Sequence, residues 1–143
     1  MADAAPLQGA CLCGACSFTA TPATTSANVC HCGMCRRWTG GMYMAVYCGN
    51  SVTFANTDRL GSYKGSEWGE RLFCKDCGTS LIWQMQDGSG SSVSIHAFDD
   101  PAQFTLTDQW FIDKKPDTYG LTNDTRSLTE AETLALFTPQ DEG

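Results

Sequence analysis

The 143-residue sequence has no apolar run approaching the roughly 20 residues that cross a bilayer; its longest candidate is Met42 to Cys48. No membrane span is therefore expected. Basic residues are scarce, 9 Lys and Arg against 16 Asp and Glu, giving a formal charge of −7. That balance repels phosphate backbones at long range and argues against nucleic acid as a partner. The first residues, Met1 to Ala10, lack a basic stretch and a long apolar core, so they do not read as a secretory leader, and a reducing cytoplasm is the expected compartment. No internal repeat or linker breaks the chain, which has the size of a single domain over 1–143.

What is abundant is cysteine, with nine residues. In a reducing compartment such a number points to metal binding more than to disulfides, and an odd count cannot pair off completely. Between Cys11 and Leu106, short segments rich in β-branched and aromatic residues alternate with Gly, Asn, Asp and Ser. Strands are predicted at 16–20, 42–47, 51–54, 60–63, 71–73, 80–84 and 91–95, with turns at Gly49-Asn50, Gly65-Ser66 and Asp87-Gly88. A further strand is predicted around Trp110-Phe111-Ile112, followed by a loop. Thr129-Glu130-Ala131-Glu132 reads as a capping box that opens a helix through Phe137, ahead of Pro139, and the helix is expected to cover a sheet edge or face. The predicted class is mainly β with a short C-terminal helix.

Seven of the cysteines form three groups: Cys11 and Cys13; Cys30, Cys32 and Cys35; Cys74 and Cys77. A Cys-x-x-Cys turn lets two thiolates face one ion while the reversing backbone aims N–H groups at the sulfurs, and zinc takes four such ligands in a tetrahedron. Seven ligands complete one site and leave three thiolates for another. Closed sites are structural, whereas an open fourth position admits water or substrate. Cys13 with Cys16 is also a Cys-x-x-Cys pair, so Cys16 is an alternative ligand; otherwise Cys16 and Cys48 are small buried apolar side chains. In either pairing, Cys30, Cys32 and Cys35 form the open triad. His31, or more remotely His96, is an alternative fourth ligand that would close it, and His31 is also the candidate proton carrier.

Three segments in order, Cys11-Leu-Cys-Gly-Ala-Cys-Ser-Phe18, Cys30-His-Cys-Gly-Met-Cys-Arg36 with Thr39-Gly40, and Phe73-Cys-Lys-Asp-Cys-Gly-Thr-Ser-Leu81, resemble the glutathione-dependent formaldehyde-activating enzyme family, which also includes centromere protein V. The resemblance extends over about 9–119 and leaves 120–143 as a C-terminal extension. It implies a single-domain, zinc-stabilised β-tent fold with two zinc ions per chain. It assigns Cys11, Cys13, Cys74 and Cys77 to a structural zinc, and Cys30, Cys32 and Cys35 to a second zinc with an open position. The family's named activity adds glutathione to formaldehyde to give S-hydroxymethylglutathione, formally a carbon–sulfur lyase reaction in reverse.

The expected chemistry is therefore a thiol, such as glutathione, bound at the open three-cysteine zinc and presented to formaldehyde or another small carbonyl compound. Arg36, Arg37, Lys64, Arg71 and Lys75 are the cations near the motifs, of which Arg36, Arg37 and Lys75 are the candidates for receiving glutathione's carboxylates, with a solvated surface as the alternative. Trp38 is expected to wall the ligand pocket or to join the core, and Tyr43 and Tyr47 are expected in the core. Two other classes stand beside this reading: a non-catalytic zinc-stabilised binding module with a closed triad, and a redox or persulfide carrier using Cys16 and Cys48.

Overall fold

A computed structural model describes residues 5–137. The two ends of the 1–143 span lie outside the described residues, and with them Pro139 and the first four positions of the segment read as lacking a leader. Among the described residues the chain forms β1 (Leu7–Ala10), β2 (Ser17–Ala20), β3 (Ser26–Cys30), α1 (Gly33–Thr39), β4 (Tyr43–Gly49), β5 (Thr53–Phe54) and β6 (Leu60–Tyr63). It continues with β7 (Gly69–Cys74), β8 (Ser80–Met85), β9 (Ser91–Ser94), β10 (Thr105–Trp110), β11 (Arg126–Ser127) and α2 (Glu130–Phe137). The mainly β class and the short C-terminal helix are as expected. No described helix is long and apolar enough to cross a membrane.

The chain groups into two compact units, one built from the chain up to Thr25 with Ala45–Thr105, the other from Ser26–Met44 and the chain from Leu106 onward. In the first unit, β1 and β5 flank β2 in an antiparallel three-stranded sheet. Its centre is aromatic: the Phe18 ring lies 5.7 Å from Phe54 and 5.6 Å from Phe98. A second antiparallel ladder runs β4-β9-β8-β7-β6, with β4 joining from Ala45 onward. Its interior is aliphatic, with Val46, Leu81, Ile82 and Val93 fully buried. The β8–β9 turn uses Asp87-Gly88 as predicted: Gly88 has φ 80°, and Ser89 N–H donates to Asp87 Oδ1 at 2.9 Å.

In the second unit the strand order is β11-β10-β3, with β10 parallel to β11. Here the structure shifts an expectation. The strand predicted at 110–112 is Thr105–Trp110 and stops there, because Phe111 takes a left-handed backbone at φ 56° and Ile112–Lys114 form a 3-10 turn. The helix α2 starts as the sequence requires: Thr129 N–H donates to Glu132 Oε1 at 2.9 Å, and Glu132 N–H to Thr129 Oγ1 at 3.2 Å. It packs on that 3-10 turn, with Thr133 buried and Phe137 edge-on to Trp110.

Candidate metal centres

The first cluster is built from two turns of the first unit. Cys11 and Cys13 lie between β1 and β2, while Cys74 ends β7 and Cys77 lies in the turn from β7 to β8. Each turn reverses on a left-handed glycine, Gly14 at φ 85° and Gly78 at φ 82°. The four sulfurs lie within 4.8 Å of one another. Cys11 Sγ is 3.7 Å from Cys13 Sγ, which is 3.8 Å from Cys74 Sγ. Sulfurs placed about 2.3 Å from a tetrahedral zinc are about 3.8 Å apart, so this set fits that ion.

Backbone N–H groups are aimed at these sulfurs, as the turn chemistry predicts. Cys16 N–H donates to Cys11 Sγ at 3.2 Å, and the N–H groups of Asp76 and Cys77 donate to Cys74 Sγ at 3.3 and 3.4 Å. Those donors favour thiolate: the Cys77 and Asp76 amides lower the Cys74 pKa, and the Thr79 hydroxyl and amide bring Cys77 down to about 5. Thr79 Oγ1 also accepts from Leu12 N–H at 3.0 Å, joining the two turns. Asp76 is paired with Arg59 at 2.5 Å, which pins the second turn from outside. Lys75 is exposed in that same turn.

Cys16 is not among the four. It is fully buried beside them, and burial, followed by the neighbouring Cys74, pushes its thiol up to about 12. Burial alone pushes Cys48 to about 12. Both are buried as expected, Cys48 within β4 and Cys16 just ahead of β2. His96 is exposed on a 3-10 turn and belongs to neither cluster.

The second cluster lies in the second unit, where β3 gives way to α1. Cys30, Cys32 and Cys35 place their sulfurs within 4.8 Å of one another, and no other ligating side chain among the described residues joins them. Neither length nor propensity favours a seven-residue helix beginning with glycine; caps make it. Cys32 Sγ accepts from Cys35 N–H at 3.3 Å, and left-handed Gly40 returns its N–H to Arg36 O at 2.8 Å. Hydrogen bonds from Cys30 and then Cys35 hold the Cys32 pKa well below that of a free thiol, while hydrogen bonds with Cys32 and Cys35, and then burial, raise Cys30.

His31, expected as a proton carrier or a fourth ligand, does not join the three sulfurs. It has no solvent exposure, its Nδ1 is 2.8 Å from the Tyr119 hydroxyl, and its Nε2 is 2.8 Å from Gln109 Oε1. Burial lowers its pKa, so the ring is neutral near pH 7. Gln109 and Tyr119, which hold it, and Thr125, which bonds Gln109, carry no local sequence signal: Gln109 and Tyr119 are 78 and 88 residues away.

Of the residues expected to bind substrate, Arg36, Arg37 and Trp38 follow the triad on α1. Arg36 is half-buried and donates through Nε to His31 O at 3.0 Å; Arg37 is exposed. The Trp38 ring packs 5.0 Å from that of buried Tyr43. Two expectations are corrected. Tyr47 is 47% exposed rather than core, because at the end of β4 its ring lies across Gly90, where an added Cβ would stand 2.6 Å from its hydroxyl. Arg71 is buried in β7 between cross-strand Tyr63 and Trp83 and is not a solvated cation, whereas Lys64 is exposed.

The sequence model of the family described as "Glutathione-dependent formaldehyde-activating enzyme" matches residues 6–114. A protein of Schizosaccharomyces pombe named as an uncharacterised lyase is 32% identical over 128 residues, 89% of this chain and 93% of that protein. The crystal structure of a Rhodobacter sphaeroides protein is similar in fold, with a TM-score of 0.57 at 21% identity over 65% of this chain and 88% of that one.

Proposed function

Because the chain belongs to the glutathione-dependent formaldehyde-activating enzyme family, we propose that it is a zinc-dependent carbon–sulfur lyase of the S-(hydroxymethyl)glutathione synthase type. It joins a glutathione-like thiol to formaldehyde or another small carbonyl compound, or releases it. The observation that carries this reading is the unequal size of the two clusters, four sulfurs in one and three in the other. The four-sulfur set would hold a structural zinc. The three-sulfur set leaves one tetrahedral direction for a sulfur from outside the chain.

Zinc bound by Cys30, Cys32 and Cys35 would supply positive charge that keeps an incoming thiol deprotonated near pH 7, where a free thiol of pKa about 8.5 is mostly protonated. The addition itself balances simply: the thiol sulfur forms a bond to the carbonyl carbon, the C=O π pair moves to oxygen, and the proton lost by the thiol ends there. Nothing is oxidised or reduced. Arg36 spends its Nε on His31 O, leaving its terminal nitrogens, with exposed Arg37, to receive the carboxylates of a glutathione-like thiol. Trp38, seated on Tyr43, forms an apolar wall beside them. A thiol partner of this kind is in keeping with a reducing cytoplasm.

The deciding experiment replaces zinc by cobalt and records the visible spectrum as glutathione is added. A thiol-dependent shift of the cobalt bands is expected, followed by consumption of thiol when small aldehydes are supplied. A spectrum indifferent to thiols would leave the non-catalytic zinc-stabilised module as the better reading.

A further inference from the structure

Among the described residues His31 is the largest fully buried polar side chain, and it stands between two sulfur ligands without being one. Its polar atoms are all engaged. The backbone N–H donates to Trp110 O at 3.0 Å, and the backbone carbonyl accepts from Arg36 Nε at 3.0 Å. Gln109 turns its oxygen to His31 Nε2 at 2.8 Å and its amide nitrogen to Thr125 Oγ1 at 2.9 Å. An amide oxygen only accepts, so the imidazole proton sits on Nε2. Nδ1 is then the acceptor, and the Tyr119 hydroxyl donates to it at 2.8 Å. Tyr119 is held in turn by Lys115, whose ammonium donates to Tyr119 O and, at 3.0 Å, to Pro116 O, and lies 5.0 Å over the phenol ring.

We propose that Gln109 and Tyr119 are positioning residues for the three-cysteine centre, acting through His31. This rests on the reading of that triad as a metal centre. Cys30 and Cys32 bring their sulfurs within 4.8 Å of each other while His31 between them stays outside that cluster, so clamping its ring at both nitrogens fixes the backbone from which the two sulfurs are presented. The backbone bonds to Trp110 and Arg36 remove the remaining freedom, the second of them from the helix that carries Cys35. Partners outside the ligand set commonly orient a metal site in this way. The family match ends at residue 114, so Tyr119, Lys115 and Thr125 place part of this support in the segment beyond it.

The test uses full-length zinc-loaded protein with Tyr119→Phe, which removes one oxygen and keeps the ring, and Gln109→Met, which keeps the volume and removes the acceptor. The readouts are zinc release to a graded chelator and the thiolate-to-cobalt bands of the cobalt form. Expected is a loss of roughly 10–100-fold in zinc affinity at the triad, unchanged retention by the four-cysteine cluster, and shifted cobalt bands from the triad. Folded variants that keep wild-type triad affinity and cobalt bands overturn the proposal, as does a lower melting temperature with both readouts unchanged, since that is a merely structural role. Should Gln109→Met fail to fold, Tyr119→Phe decides alone. Wild-type protein without metal at the triad overturns both this inference and the reading beneath it. Wild-type protein that binds metal there but ignores thiols defeats the lyase reading and leaves the positioning test intact.

Discussion

Cys13 and Cys74 are 61 residues apart in the chain, and their sulfurs are 3.8 Å apart. The contact joins the turn between β1 and β2 to the turn between β7 and β8, which belong to different sheets of the first unit. Thiolates at that distance repel, and a divalent ion turns the repulsion into a cross-link. Binding of a structural zinc contributes on the order of 10 kcal/mol to folding. Cys74→Ser should therefore yield insoluble or unfolded protein, read by circular dichroism; a soluble, folded product would refute the structural assignment.

Cys32→Ser makes the opposite prediction. Its triad is drawn from one short stretch of chain and ties no sheets together. Native mass spectrometry should report two zinc ions on the wild type and one on the variant, with thiol binding lost and the β spectrum retained. One metal or none on freshly purified wild-type protein would contradict the count.

Gly9 is packed where no larger residue fits. A Cβ there would stand 2.7 Å from the backbone oxygen of Ala97 and 2.8 Å from Cε1 of the buried Phe18 ring. The backbone oxygen cannot swing aside, and Gly9 is also bridged to Phe98. Gly9→Ala should destabilise the protein by about 1–3 kcal/mol, seen as a lower urea midpoint at an unchanged slope.

Cys48 gives a pH-dependent prediction. Burial pushes its thiol up to about 12, against an ordinary value of 9.0. The unfolded chain therefore loses this proton first as pH rises. The contribution of Cys48 to stability is complete below pH 9 and declines between 9 and 12. Alkylation at about pH 8 followed by peptide mass analysis should leave Cys48 unmodified in the native protein and modified in urea, and Cys48→Ala should flatten the loss of stability above pH 9.

The reciprocal bonds of Thr129 and Glu132 satisfy two amides at the start of α2. Thr129→Ala removes one bond and should cost about 1 kcal/mol. Because Phe137 at the other end of that helix rests on Trp110, fraying should also alter tryptophan fluorescence before global unfolding.

The cysteine groups were legible because metal ligands close in sequence announce themselves by spacing, and the capping box because its two residues are three apart. Strand β6 has the bounds the pattern gives, Leu60–Tyr63. Strand β1, Leu-Gln-Gly-Ala, has no β-branched residue and exists because Gly9 permits the approach of Phe18. Helix α1 depends on a sulfur cap and a left-handed glycine, neither of which registers in a propensity. Strand β10 ends one residue into its aromatic run because Phe111 turns left-handed. The surroundings of His31 were hidden for a different reason: hydrogen bonds formed across 78 and 88 residues leave no periodicity.

The order of the ligands along the chain has a consequence during translation. The ribosome releases the N-terminus first, so Cys30, Cys32 and Cys35 emerge together while the other ligand set consists only of Cys11 and Cys13. Residues Gln109 and Tyr119, which enclose His31, are made after every one of these cysteines. A nascent chain therefore carries its three-thiol cluster complete before Gln109 and Tyr119 exist, and its four-thiol cluster half made. Without a bound ion, the triad's thiols are open to oxidants in that interval, before any fold protects them.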